Sequence, residues 1–132
     1  WSCTSFNQLK RDGDDVSRWN MLHPDKKPKM RHVEKCLLDT DGPVVAATDY
    51  VKLFADQIRA YVPRSYSVLG TDGFGRSDTR QALRKHFEVD RYYIAVAALN
   101  ALMEDGSVSV KTVNAAIKKY GIDPNKNNPL MS

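Results

Sequence analysis

At 132 residues the chain has room for one domain, and a domain of that length buries roughly two-thirds of the surface its unfolded chain exposes. Hydrophobic residues at 42% and charged residues at 27% are ordinary globular values, and no apolar run reaches the roughly 18–20 residues of a membrane-spanning helix. A formal net charge of +4 would serve nucleic-acid binding only if the basic residues converged, and the densest run, Lys26–Lys35, lacks the interleaved aromatics of a single-strand binder and reads as a solvated loop.

Trp1–Thr4 reads as the end of a strand. Ser5 offers a cap for a short helix through Phe6, Leu9 and Lys10, which Gly13 should end. Asp14 or Asp15 should then open a second helix carrying Val16, Trp19 and Leu22 on one face and closed by Pro24. Val33, Cys36 and Leu37 at i, i+3 and i+4 mark a short amphipathic helix, stopped by the turn residues Asp39–Gly42. Cys3 and Cys36 fall in neither metal nor redox spacing and read as reduced thiols of a cytoplasmic protein.

Pro43–Ala47 is continuously apolar, as expected of a strand covered by helices on both faces. Thr48 or Asp49 should cap a helix whose apolar face is Val51, Phe54, Ala55, Ile58 and Val62 and which Pro63 ends. A second strand, Tyr66–Leu69, then pairs parallel to the first through this crossover.

Gly70–Asp78 holds three of the seven glycines and joins that strand to a helix beginning at Ser77, which is placed to cap it. Two readings of Gly73, Gly75, Arg76 and Ser77 stand side by side: a structural or docking turn, and an anion site in which backbone N–H groups and Arg76 hold a phosphate or carboxylate. The order G-x-x-G-x-G reverses the dinucleotide fingerprint, and no lysine follows as in a P-loop. In the helix that follows, Leu83 and Phe87 should face inward and Arg80, Arg84 and Lys85 outward. His86, near its end, has no companion at ligand spacing.

Asp90 should cap a helix through Tyr92–Met103 that is apolar nearly all round. Its small residues make Tyr93, Ala97 and Ala101 a candidate interface, the other reading being the buried centre of the domain. A last helix from Ser109 should turn Val110, Val113, Ile117 and Tyr120 inward and stop at Gly121, leaving 123–132 as a surface tail. His23, His32 and His86 share no motif with a nucleophile, and no carboxylates are paired by spacing. The residues therefore give an α/β domain with no catalytic, cofactor or metal residues of its own.

LGTDGFGRSDTRQALRKHFEVD (Leu69–Asp90), TDYVKLFADQIRAYVP (Thr48–Pro63), RWNMLHP (Arg18–Pro24) and the ending Asn128–Pro129–Leu130 resemble, in the same order, the C-terminal domain of the homodimeric bacterial pyruvate dehydrogenases. The resemblance covers nearly the whole chain. It implies a single domain, the C-terminal part of a longer enzyme, with a transketolase C-terminal-like three-layer α/β/α fold and a mostly parallel sheet, truncated on its N-terminal side. It implies that thiamine diphosphate and Mg bind between the N-terminal and middle domains of two subunits. The whole enzyme would decarboxylate pyruvate and acetylate the lipoyl group of its partner, dihydrolipoyl acetyltransferase. This domain would support the dimer and the interdomain packing, and alone it would be inactive. The alternative left by the residues themselves is a free-standing anion- or nucleotide-binding module using Gly70–Ser77.

Overall fold

The computed structural model describes residues 1–132, in the order α1 (Phe6–Leu22), α2 (His32–Leu37), β1 (Val44–Ala47), α3 (Lys52–Asp56), a 3-10 turn (Arg59–Tyr61), β2 (Tyr66–Leu69), α4 (Arg80–His86), α5 (Arg91–Glu104), α6 (Val110–Lys119) and a final 3-10 turn (Pro129–Met131). The strands pair in parallel, Val44 opposite Tyr66 and Ala47 opposite Leu69. One face of the pair carries Val44, Ala46, Tyr66 and Val68 into a cluster with Val33, Ile58 and Val62, against which Phe6, Leu9, Leu37 and Tyr61 pack. Helix α5 lies against β1 and β2, and α6 lies against α5. The alternation of side chains along a strand puts α5 on the face opposite the cluster, so helices cover the sheet on both sides in the expected three layers.

Two helices expected before Pro24 are one. Ser5 caps it as read, its Oγ accepting from the Gln8 N–H at 3.2 Å. Gly13 does not end it. Gly13 is buried, and a Cβ there would lie 2.3 Å from Cδ2 of Tyr61, so the glycine serves as a seat for that ring and the helix passes through it. Asp14 and Asp15, expected as caps, are exposed mid-helix residues; Asp14 pairs with Lys10 at 2.6 Å and accepts a hydrogen bond from the Tyr61 hydroxyl. Trp1–Thr4 form no strand.

The basic loop is pinned at one end. Asn20 exchanges two hydrogen bonds with the Lys29 backbone (3.0 and 2.8 Å), and Trp19 lies between the stacked His23 ring at 4.3 Å and the Lys29 ammonium at 4.2 Å. Helix α2 begins where Arg31 donates its backbone N–H to Glu34 at 2.7 Å and its guanidinium to Ser17 Oγ at 3.0 Å, tying α2 to α1.

The helix expected over Thr48–Val62 is shorter and broken. Neither Thr48 nor Asp49 caps it: the Thr48 Oγ1 accepts from the Tyr50 N–H at 3.2 Å, before the helix begins, and the Asp49 carboxylate pairs with Arg84 at 3.2 Å. The chain turns helical only at Lys52, whose N–H donates to the Asp72 carboxylate at 3.0 Å, twenty residues away in the glycine turn. Of the expected apolar face, Ala55, Ile58 and Val62 are buried, whereas Val51 and Phe54 are exposed.

Asp90 caps α5 by accepting from the N–H groups of Tyr92 and Tyr93 (2.8 and 3.0 Å), and Ser109 caps α6 by accepting from Thr112. The buried stripe of α6 is Val113 and Ala116, with Ile117 and Tyr120 half-buried; Val110, expected inside, is exposed. The segment 123–132 is mostly exposed but not free. Lys126 donates to His86 O at 2.6 Å and to Glu88 at 3.1 Å, and Pro129 is buried.

Candidate functional site: the glycine turn and the groove beside β1

The glycine turn leaves β2 at the carboxyl ends of the strands, where open α/β sheets gather their ligand and partner contacts. Its geometry is fixed from three directions. Gly70 is buried, and a Cβ there would lie 2.7 Å from Tyr50 O. Thr71 donates its N–H to Tyr50 O at 2.9 Å, and Asp72 holds the start of α3. Gly73, at φ +114°, sits against the final 3-10 turn, where a Cβ would meet Pro129 O at 2.7 Å.

The four residues singled out in the sequence play unequal parts. Gly73 takes the positive φ that a branched residue resists. Gly75 lacks it, and a side chain there would stand in open space. Ser77 is not the cap of α4: that helix begins at Arg80, and Thr79, with extended backbone, accepts from the Ala82 N–H at 3.2 Å. Competition among adjacent cap-formers decides this, since Asp78 turns its carboxylate onto the Thr79 N–H at 2.6 Å and holds Ser77 and Asp78 in the turn. Arg76 and Ser77 line a shallow recess of about 270 Å³ with Asp78, Ala82, Leu83 and His86. The Nε2 atom of His86 is buried there without a hydrogen-bond partner. Burial holds the imidazole below its ordinary pKa, the positive charges of Arg76 and Lys126 push the same way, and Glu88 opposes them. Arg84, expected in solvent, is half-buried and reaches Asp49 at 3.2 Å.

A much larger feature lies along β1. Val44 and Thr48 donate their N–H groups to Ser65 O and Leu69 O of the β2 segment at 2.8 and 3.0 Å. Strand geometry therefore turns the amides of Val45 and Ala47 the other way, with no third strand to receive them. They face a groove of about 1620 Å³ lined by every residue of β1, with Phe6, Leu9 and Val33 on one wall and Val89 and Ile94 on the other. Free thiols sit at its rim: Cys3 is exposed, and Cys36 Sγ lies 3.4 Å from His32 Nε2. The opposite edge of the sheet is shielded, because the Arg59 guanidinium donates to Tyr66 O at 2.6 Å.

The candidate interface on α5 divides. Ala101 is 2% exposed, covered by the chain's own elements, whereas Tyr93 and Ala97 are half-buried. No three of the His, Cys, Asp and Glu side chains converge as a metal-binding group. The residues present do not fit a metal-diphosphate anchor.

Residues 1–90 match the family model of the transketolase-like C-terminal domain. The chain belongs to that family. As a transketolase-like C-terminal domain, it is 60% identical over 131 residues to the pyruvate dehydrogenase E1 component of Pseudomonas aeruginosa, covering 98% of this chain and 15% of that protein. It is 58% identical over 130 residues to the component of the same name from Cupriavidus necator, covering 98% of this chain and 14% of that protein. The corresponding Escherichia coli K12 protein is 53% identical over 133 residues, which is 100% of this chain and 15% of that protein. The chain thus spans 14–15% of the length of these relatives.

Sequence reasoning missed two residues that shape the site. Asp72 supplies a helix start twenty residues upstream, and Pro129 closes over Gly73. Asp72 carries the usual local signal, a short acidic side chain among glycines, but its partner is remote. The groove has an indirect signal: two apolar strands are too few to close a sheet.

Proposed function

We propose that this chain is the C-terminal supporting domain of a pyruvate dehydrogenase of the E1 type, and that the groove beside β1 receives polypeptide from the rest of that enzyme, which completes the sheet. The open β1 edge carries this reading. An apolar edge with unpaired amides, walled by helices on both sides, is a template for a further strand, and in water it is a liability that proteins cover. Relatives about seven times longer supply polypeptide to cover it.

In the whole enzyme, pyruvate is decarboxylated and the acetyl group passes to the lipoyl group of dihydrolipoyl acetyltransferase. Thiamine diphosphate, with Mg as its counter-ion, supplies the carbanion-stabilising chemistry from the N-terminal and middle domains of a cytoplasmic homodimer. The part of this chain is geometric. It presents β1 for pairing, holds the glycine turn rigid through Asp72 and Pro129, and keeps its own charged groups at the surface.

The test is amide exchange. In the full enzyme the Val45 and Ala47 amides should be protected at least about tenfold more than in the isolated chain, because strand pairing removes them from solvent. Equal exchange in the two samples refutes the reading. A second reading, an anion-binding module, is favoured by the partnerless His86 Nε2 beside Arg76 and Ser77. Nucleotide or inorganic phosphate binding that saturates at one per chain and is lost in Arg76→Ala would establish it.

A further inference from the structure

Resting on the supporting-domain reading, we infer that the chain has a second docking face, separate from the groove, in which Phe74 is the central anchor and whose occupant is another domain of the same enzyme polypeptide. Thirteen large apolar side chains are exposed, and seven of them fall in three short segments, 50–54, 74 and 130–131. These segments are neighbours in space. Tyr50 and Phe54 meet edge to face at 4.8 Å, Tyr50 O accepts the Thr71 N–H, and Gly73 abuts Pro129 and Leu130. The three segments thus meet at the carboxyl ends of the strands, and each presents exposed apolar side chains there. None of these residues lines the groove, whose walls belong to other parts of α1, α2, β1, α4 and α5.

Phe74 is 78% exposed, yet the turn that carries it is held by the Asp72–Lys52 bond and by the fit of Gly73 against Pro129. A large aromatic exposed on a turn whose backbone is held buries little within its own domain, and the turn needs little further ordering when the ring inserts elsewhere, which is the character of an interface anchor. Clustered exposed apolar side chains on soluble domains mark partner surfaces. The occupant follows from length: relatives carry about six-sevenths of their polypeptide outside the region matched here, so a partner is tethered to the chain at high effective concentration. The glycine turn read as either a docking turn or an anion site is, on this account, the docking turn.

The test is methionine oxidation in the full enzyme, with two residues of one chemistry compared in one sample. Met131 belongs to the face and Met21 does not, and in this chain they are 81% and 70% exposed. Under limiting peroxide Met131 should oxidise at least about fivefold more slowly than Met21, because susceptibility follows exposure. Phe74→Asp should return Met131 to the Met21 rate while the domain still folds, since Phe74 contacts little within it. Equal rates in the unsubstituted enzyme overturn the inference. Protection lost on dilution to single polypeptides also overturns it, since the occupant would then be a second copy. Alkylation of Cys3 in the same samples reports on the groove alone, so failure of this face is distinguished from failure of the supporting-domain reading.

Discussion

Replacing Gly13 with alanine sets two effects of opposite sign against each other. In a solvent-exposed helix interior the change stabilises by about 1 kcal/mol, because alanine loses less backbone entropy than glycine. Here the new Cβ would lie 2.3 Å from both Cδ2 and Cε2 of Tyr61 and 2.8 Å from Cγ. Those atoms include the fixed base of the ring, so the ring cannot swing its far end aside. It must leave α1, giving up its hydroxyl bond to Asp14 and its place under the Arg31 guanidinium, 5.0 Å from the ring centroid. Overpacking of this kind costs about 1–3 kcal/mol, and the short contact at Cγ puts it in the upper half of that range. The net expectation is a loss of about 1–2 kcal/mol, read as a lower urea midpoint at unchanged slope. The same substitution in a Tyr61→Ala background should instead stabilise by about 1 kcal/mol, because the obstruction is gone. That reversal of sign is the signature of direct contact in a double-mutant cycle. Gly13→Ala equal to or more stable than the parent, with Tyr61 present, would refute the packing argument.

Three further outcomes are expected. Gly73→Val should destabilise by more than about 1 kcal/mol from its positive φ and the Pro129 clash, whereas Gly75→Val should stay within about 0.5 kcal/mol, and thermal melts of the two decide it. Thr79→Ala should cost about 1 kcal/mol as a lost N-cap while Ser77→Ala costs little; the reverse ranking by urea titration would restore Ser77 as the cap. His86 titrates below its ordinary 6.5 because burial disfavours the cation, so below that pH the folded chain binds fewer protons than the unfolded one. Its contribution is therefore present above about pH 6.5 and lost as pH falls through the depressed value, and His86→Gln should flatten the Tm against pH profile between about pH 7 and pH 5.

What was legible in the sequence was whatever rests on local periodicity. The Tyr66–Leu69 strand, the Val33–Cys36–Leu37 face, and the caps Ser5, Asp90 and Ser109 all stand where read, because each depends on residues within one turn or one strand. The errors share another cause. Glycine usually punctuates a helix, which makes Gly13 look like a stop, but a ring forty-eight residues away gives it a packing role. Thr48 and Asp49 are cap-formers by type, but the Thr48 hydroxyl oxygen is engaged by the Tyr50 N–H and the Asp49 carboxylate by Arg84, and the helix starts only at Lys52. Ser77 lost to Thr79 through competition among three adjacent cap-formers, which spacing alone does not rank. At the site, the cluster of glycines marks a turn, but nothing in it tells that Gly73 takes the positive φ and Gly75 does not. The open β1 edge was legible only as a shortage of strands, since a groove is defined by what lies around it in space.

The most direct test of the supporting-domain account is calorimetry of the purified chain with thiamine diphosphate and Mg, followed by carbon dioxide release on adding pyruvate. A reaction of that kind needs a preorganised, water-poor pocket for the cofactor, and the three glutamates here, Glu34, Glu88 and Glu104, are apart: Glu34 pairs with Arg31, Glu88 with Lys126, and Glu104 accepts from Asn100. The account predicts no saturable heat of cofactor binding and no release above that of the cofactor alone, with both appearing in the full enzyme. Stoichiometric cofactor binding or turnover by the isolated chain would contradict it.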